Sequence, residues 1–336
     1  METSTLDRRV TAGLWLAGAL SLTALWTRRN AKKAEQQFPP AGNFVETDGV
    51  RLHYIERGSG PAVLLLHGNG TRAEDFIGCG LMDRLAARYR VIAFDRPGFG
   101  FSKRPRDRKW TPAAQAQLFN KACAAIGAER PIVVGHSFGT LVALALALDR
   151  ESLVRGLVLV SGYYFPTLRL DSLLSAAPAT PILGDVMRYT VSPLLGKLMM
   201  RPILRNEFSP REIDPRFPGA VPQSLMLRPW QLKAAADEGA LMVPAAAELS
   251  KHYKELAVPV EIFAGVADKH ARQDKQSVRL HEEIPRSTLH MIPGEGHMLH
   301  YGMSAEIAQA VDRIAIGTGL SPSAAVPLHA SVEDAG

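Results

Sequence analysis

The stretch Gly135-His136-Ser137-Phe138-Gly139 sets a hydroxyl between two glycines, with an apolar strand before it (Pro131–Val134) and an apolar helix after it (Leu141–Leu148). Turning from strand to helix on one residue forces a tight bend, and glycines on both sides leave room for it. Such a bend lifts the Ser137 hydroxyl above the sheet at a helix N-terminus, where backbone N–H groups favour developing negative charge. That chemistry is nucleophilic attack on a carbonyl, and it needs a base. Of ten histidines, His297 lies in Gly294-Glu295-Gly296-His297, directly after the last apolar strand, where a loop can carry an imidazole to the serine. His300 is its nearest competitor. His136 adjoins the serine but points to the opposite face of its strand, so it reads as structural. His67 reads as a pin for its own loop, and His270 and His290 as surface or core residues.

The base needs an acid to fix its tautomer. Asp268 follows the strand 258–263 through Ala264-Gly265-Val266-Ala267, at a carboxyl end where open α/β sheets bind ligands. Asp274 and Glu261 are the alternatives. His67-Gly68-Asn69-Gly70 follows the buried run 62–66, so the backbone N–H groups of Asn69 and Phe138 form a candidate pair of oxyanion donors. The side chain of Asn69 is a further polar group available there.

These residues require a particular frame. Residues 44–48 and Arg51–Glu56 alternate around Asp48-Gly49, which predicts a hairpin. Ala62–Leu66, Val91–Phe94, Ile132–Val134, Leu153–Val160 and Val258–Phe263 are short apolar runs of the kind that strands buried on both faces show, and Thr288–Ile292 is a plausible last strand. Helical stretches fall near 80–88, 111–127, 138–149, 271–284 and 303–315, with Pro112 after Thr111 as a good helix start. Strand–helix alternation predicts an α/β fold: a mostly parallel sheet with helices on both faces. The alternation breaks over 163–250, rich in Leu, Met and Pro, which is too long for a loop and reads as an inserted helical cap. Tyr163, Tyr164, Phe165, Leu194, Leu195, Met199, Met200, Leu225, Met226 and Trp230 are its candidates for roofing a pocket. Core 44–162 and 251–316 flanks the cap, and 317–336 reads as a disordered tail.

The N-terminal part, 1–43, is separate. Val10–Thr27 carries no charge, and as a helix it would be about 27 Å long, close to a hydrocarbon core of about 30 Å. Arg8-Arg9 and Arg28-Arg29 bracket it, and Trp26 sits where an interfacial aromatic belongs. This predicts an uncleaved membrane anchor, with export after signal cleavage near Ala17-Gly18-Ala19 as the alternative. The excess of basic residues after the segment favours a cytoplasmic catalytic part. Residues 34–43 read as a linker.

Asp95-Arg96-Pro97-Gly98-Phe99-Gly100-Phe101-Ser102 resembles the D-x-P-G-x-G-x-S turn of capped α/β hydrolases: esterases, haloperoxidase-like enzymes, dehalogenases and epoxide hydrolases. With that motif, residues 44–315 resemble the α/β-hydrolase superfamily, whose order Ser…Asp…His matches Ser137, Asp268 and His297. The resemblance implies an eight-stranded, mainly parallel sheet, a cap inserted after the sixth strand and a structural role for Asp95. Dehalogenases and epoxide hydrolases use an aspartate nucleophile where this chain has Ser137.

The bulk numbers exclude little else. The chain has 336 residues, 46% hydrophobic and 21% charged, which is globular. Half of its net charge of +6 flanks the N-terminal apolar segment. There is no recognition motif or basic–aromatic stripe for nucleic acid, and Arg104–Lys109 reads as a solvated loop. Cys79 and Cys123 read as unpaired thiols. The expected activity is hydrolysis of a carboxylic ester of a small to medium apolar substrate through an acyl-enzyme, with no metal or organic cofactor. C–C bond hydrolysis of a diketone, lactonase and thioesterase activities remain alternatives on the same residues, and a ligand-binding protein with a retained triad is the alternative of another class. The cap is expected to admit small soluble esters without a lipid interface. Oligomeric state has no signal in the sequence.

Overall fold

A computed structural model of the chain describes residues 3–149, 154–167, 180 and 182–320. Helix α1 (Thr3–Gln37) leads into a β1 (Asn43–Thr47)–β2 (Val50–Arg57) hairpin, β3 (Ala62–Leu66), α2 (Asp75–Gly78), α3 (Leu81–Ala86) and β4 (Arg90–Phe94). Next come α4 (Pro112–Ala125), β5 (Ile132–His136), α5 (Phe138–Leu148) and β6 (Gly156–Val160). Among the described residues, five helices follow without a strand: α6 (Leu183–Tyr189), α7 (Val191–Phe208), α8 (Phe217–Ala220), α9 (Gln223–Met226) and α10 (Pro229–Leu249). The chain then returns through β7 (Val260–Gly265), α11 (Ser277–Glu283), β8 (Ser287–Ile292) and α12 (Ser304–Gly317).

The eight strands form one sheet in the order β1-β2-β4-β3-β5-β6-β7-β8. β1 and β2 run antiparallel to their neighbours and the rest are parallel. Successive side chains alternate between two cores. Leu64, Leu66, Val133, Leu157 and Ile262 face the α4–α5 side, while Val63, Leu65, Val134, Val158 and Phe263 face α3 and α12. α5 is buried all along Phe138–Leu146 because α4, α10 and the sheet surround it, and so its sequence is apolar on every face. Leu66 pairs with Gly135, His136 with Val160, and Gly265 with Ile292. That register brings the loops after β3, β5, β7 and β8 to one edge.

Several sequence expectations shift. The helical rise through the N-terminus does not stop at a linker but continues to Gln37. Its last turns are folded against the helices after β6: Thr27, Ala31 and Ala34 are buried along one face, Arg228 Nη1 donates to Glu35 Oε1 at 2.8 Å, and the Arg28 guanidinium lies over the Tyr189 ring. α11 begins only at Ser277, since 271–276 form turns. Arg104 is not solvated; it is nearly buried, donating to Pro97 O and paired with Asp237 at 3.4 Å. Cys79 and Cys123 are unpaired and buried, as expected. The expected disordered tail lies, from residue 321 on, outside the described residues.

A buried ion pair ties the inserted helices to the sheet. Arg96 and Glu238 are both fully buried; Arg96 Nη2 donates to Glu238 Oε2 at 2.9 Å, and Gln115 Nε2 donates to Glu238 Oε1 at 3.0 Å. Removing one member leaves the other as an uncompensated buried charge. Glu238→Ala is therefore expected to destabilise the protein by about 3–5 kcal/mol, read as a lowered denaturation midpoint; a loss under about 1 kcal/mol would show that the pair behaves like a surface one.

Candidate active site

Ser137 occupies φ 51°, ψ −118°, a conformation that a side chain adopts only when its surroundings enforce it. They do so here by close packing. A Cβ on Gly139 would meet Leu66 O at 2.1 Å, and one on Gly135 would meet Gly139 O at 2.7 Å. The two glycines of the motif are thus required by backbone approach between β3, β5 and α5. Ser137 N donates to Val160 O at 2.9 Å, which holds the bend to the next strand.

The predicted partners meet at this bend. His297 Nε2 lies 2.9 Å from Ser137 Oγ, and His297 Nδ1 lies 2.9 Å from Asp268 Oδ2. The other carboxylate oxygen, Asp268 Oδ1, accepts from His270 N at 2.8 Å and Ala271 N at 3.0 Å. Burial works to raise the Asp268 carboxyl, but the His297 ring and these N–H groups outweigh it and hold it below the usual carboxylate value. An ionised Asp268 accepts a hydrogen bond from Nδ1–H, which keeps that proton on Nδ1 and leaves Nε2 as the acceptor facing the serine hydroxyl. The other candidates are elsewhere. Asp274 forms an exposed pair with Arg272, and Glu261 on β7 binds Arg313 and His290.

His300 does not reach the serine. It is buried behind the bend, its ring 4.1 Å from that of His136 and its Nε2 3.4 Å from Asp75 Oδ2. His136 points away from Ser137, with Nε2 3.1 Å from the His297 carbonyl oxygen. Burial and the His300 and His297 rings hold it far below an ordinary imidazole, so it is neutral and donates from Nε2 to that oxygen. Asp75, His136 and His300 offer ligand atoms within 4.8 Å of one another. Two imidazoles and a carboxylate are a donor set of the kind transition metals take.

The loop after β3 is pinned to the sheet. Arg96 N donates to His67 Nε2 at 2.9 Å, so His67 carries its proton on Nδ1 and donates it to Gly68 O at 2.7 Å. Arg96 Nε donates to His67 O at 2.7 Å. The neighbouring Asp95 is structural, as expected: its carboxylate accepts from Ala73 N at 2.9 Å and Phe101 N at 2.8 Å and meets His53 Nδ1 at 2.7 Å. Asn69 Nδ2 donates to Ala235 O at 3.0 Å, so this side chain ties the loop to α10. Among the described residues, neither the Asn69 nor the Phe138 backbone N–H donates to a carbonyl, and Phe138 opens α5, where N–H groups lack intrahelical partners.

A cavity of about 610 Å³ opens on Ser137 and His297 and is walled mainly by apolar side chains, Met200, Ile203, Leu204, Phe217, Met226 and Met242. Of the roof residues expected from sequence, Met200 and Met226 line it. Tyr163, Tyr164 and Phe165 are buried in the core beside α5, Leu225 is buried apart from the cavity, and Leu194, Leu195, Met199 and Trp230 are exposed. Helix periodicity gave no way to tell which face of the insertion turned inward. Sequence reasoning also missed Glu207, whose Oε2 lies 3.9 Å from His297 Nε2 and whose Oε1 lies 3.4 Å from His270 Nε2. No motif surrounds it, so only the fold of α7 reveals it.

Burial, reinforced by Arg96, holds His67 at about 3 against an ordinary 6.5. Between those values the unfolded chain binds a proton that the folded chain does not, so the contribution of His67 is complete above about pH 6.5 and is lost as pH falls toward 3. Asp268, also held low, adds a loss of the same sign at still lower pH. Denaturation midpoints are therefore expected to fall on acidification from neutrality, and His67→Gln should be less stable at neutral pH with a shallower decline. Equal slopes for the two proteins would contradict a neutral, loop-pinning His67.

Residues 61–302 match the family described as alpha/beta hydrolase fold. Haloalkane dehalogenase 2 of Mycobacterium tuberculosis is 26% identical over 289 residues, covering 82% of this chain and 95% of its own. The 2-hydroxymuconate semialdehyde hydrolase of Pseudomonas putida is 36% identical over 159 residues, 46% of this chain and 55% of its own. A thermophilic esterase from Thermogutta terrifontis superposes with a TM-score of 0.66 at 22% identity, covering 82% of this chain and 99% of that one. The chain belongs to the α/β-hydrolase fold family.

Proposed function

We propose that the protein is a serine hydrolase that cleaves a carboxylic ester of a small to medium, largely apolar substrate. The observation that carries this reading is the continuous line from Asp268 through His297 to Ser137, with both links at 2.9 Å. Ser137 Oγ attacks the carbonyl carbon while its proton passes to His297 Nε2. The oxyanion is held by the N–H groups of Asn69 and Phe138. Collapse expels the alcohol, which takes the proton from His297, and the acyl group stays on Ser137. Water then attacks that acyl carbonyl, gives its proton to His297, and the second collapse returns it to Ser137 and releases the acid.

The nucleophile also separates this chain from its dehalogenase relative. A serine that displaced a halide would carry an alkyl ether with no carbonyl for water to attack, and turnover would stop. An acyl ester at the same oxygen is hydrolysable. The likeness to the 2-hydroxymuconate semialdehyde hydrolase supports C–C bond cleavage by the same three residues as the second reading. Lactone and thioester cleavage use the same steps. Glu207 adds a selection rule, because a carboxylate beside His297 repels substrates that bring a negative charge to that wall. The apolar window within α1 supports membrane anchoring, and the folded contacts of Thr27–Glu35 make the end of that helix part of the protein body.

Kinetics on p-nitrophenyl esters test the reading. Ser137→Ala and His297→Ala should each cut kcat/KM by at least about 10³-fold with little further loss in the double variant, because the residues act as a unit. Asp268→Asn should lower turnover severely in a folded protein, and His300→Ala should keep the Ser137 reaction. Retained turnover in Ser137→Ala, or a dead His300→Ala beside an active His297→Ala, would reject the assignment.

A further inference from the structure

The helices inserted after β6 expose an apolar surface that the core does not use. On α7, Val191, Leu194, Leu195 and Leu198 repeat at helical spacing on the outer side, with Leu198 73% exposed. Ile182 and Leu183, at the start of α6, are further exposed apolar residues of the insertion, Ile182 being 81% exposed. An exposed apolar stripe such as that on α7 marks an interaction site.

Its neighbour identifies the occupant. α1 packs beside α6 and α9, and Trp26 of α1 shares a crevice with Pro193 and Lys197 of α7. Upstream, Leu14, Trp15, Leu22 and Leu25 of α1 are exposed, in the window apolar and long enough to cross a bilayer. Exposed cations follow the same border: Arg28 and Arg29 on α1, Lys197, Arg201 and Arg205 on α7. An apolar face rimmed by Arg and Lys suits the headgroup boundary of a bilayer with anionic lipid.

The opposite side of α7 faces the chemistry. Met200, Leu204 and Glu207, again at helical spacing, line the cavity on Ser137 and His297. At about 100° per residue, Met200, Leu204 and Glu207 lie on the face of α7 opposite the outer stripe, while Pro202, Ile203 and Asn206, farther along the helix, complete this wall of the cavity. One helix thickness therefore separates the outer patch from the site.

We propose that the outer face of α6–α7 docks on the bilayer beside the α1 anchor, and that the cavity takes its ester from the membrane: an amphiphile with an uncharged or cationic end and a medium-length acyl chain. This departs from the expectation of small soluble esters, and its substrate half rests on the serine-hydrolase reading. The docked face does not. Chain ordered this way keeps the cavity at the lipid surface, so the substrate leaves the bilayer over α7 without crossing bulk water, and the enzyme discriminates by partitioning as much as by shape.

The test uses the full chain reconstituted in vesicles of phosphatidylcholine and phosphatidylglycerol. Leu198→Cys carries an environment-sensitive fluorophore, and Glu282→Cys on α11 carries the same label as a control. Cys79 and Cys123 stay unlabelled, since both are buried and burial pushes their thiols up, Cys123 to about 12. The label at 198 should shift to the blue and be quenched by brominated lipid, with the label at 282 in water. In a second arm, Leu195→Glu/Leu198→Glu should slow hydrolysis of a medium-chain fluorogenic ester dissolved in the vesicles by about tenfold and leave p-nitrophenyl acetate turnover unchanged. Ser137→Ala should lose both turnovers and keep the blue shift; if it keeps turnover, the hydrolase reading fails while the docking result stands. Equal water exposure at 198 and 282 would overturn the docking proposal. So would a 198 label shielded without vesicles in protein that sediments as a dimer, which would assign the face to a second copy of the chain.

Discussion

The site depends on one backbone conformation. Holding a serine at φ 51° costs on the order of 1–3 kcal/mol, and the structure meets that cost through the approach of α5 to β3 across Gly139. The same approach brings the Asn69 loop beside the first turn of α5. Ser137 and the two backbone N–H groups proposed as oxyanion donors are therefore set by one piece of packing, and the two glycines are the residues it cannot exchange.

Around that bend the polar groups are fixed by neighbours that are themselves buried. Arg96 holds the His67 loop from beneath with its backbone and side-chain N–H groups, and its guanidinium reaches Glu238 on α10. The inserted helices and the loop after β3 thus share one arginine. Arg228 plays a parallel part farther out, bonding Leu225 O and Gln231 within the insertion and Glu35 at the end of α1. Sheet, cap and N-terminal helix are linked by charges that each have a partner, and full burial of the Arg96–Glu238 pair makes its loss costly, whereas Glu35 is partly exposed.

Much of this was legible in the sequence because it is local. The strand runs 62–66, 91–94 and 132–134 carry their own apolar signature, and Ser137, Asp268 and His297 each sit just after a strand that announces itself. What could not be read involves partners far apart in the chain. Glu207 acquires meaning only when α7 crosses the site, 70 residues after the serine, and Glu238 only when α10 descends on Arg96. The roof residues were misassigned for the same reason: Tyr163, Tyr164 and Phe165 have the composition of a lining but are consumed by the core beside α5. Of the linker expected at 34–43, the part up to Gln37 is a helix end, since the contacts that extend it come from Tyr189 and Arg228 rather than from neighbouring residues, and 38–42 connect it to β1.

The central claim is that Ser137 forms a covalent acyl intermediate. Rapid acid quench of the protein with an activated ester, followed by peptide mass mapping, tests it directly. The account predicts one acyl adduct per chain on the peptide that contains Ser137, formed faster than steady-state turnover and lost to water, and accumulating in a His297→Ala protein only at a greatly reduced rate. Full turnover with no adduct at Ser137, or an adduct on another residue that turns over at the steady-state rate, would contradict it.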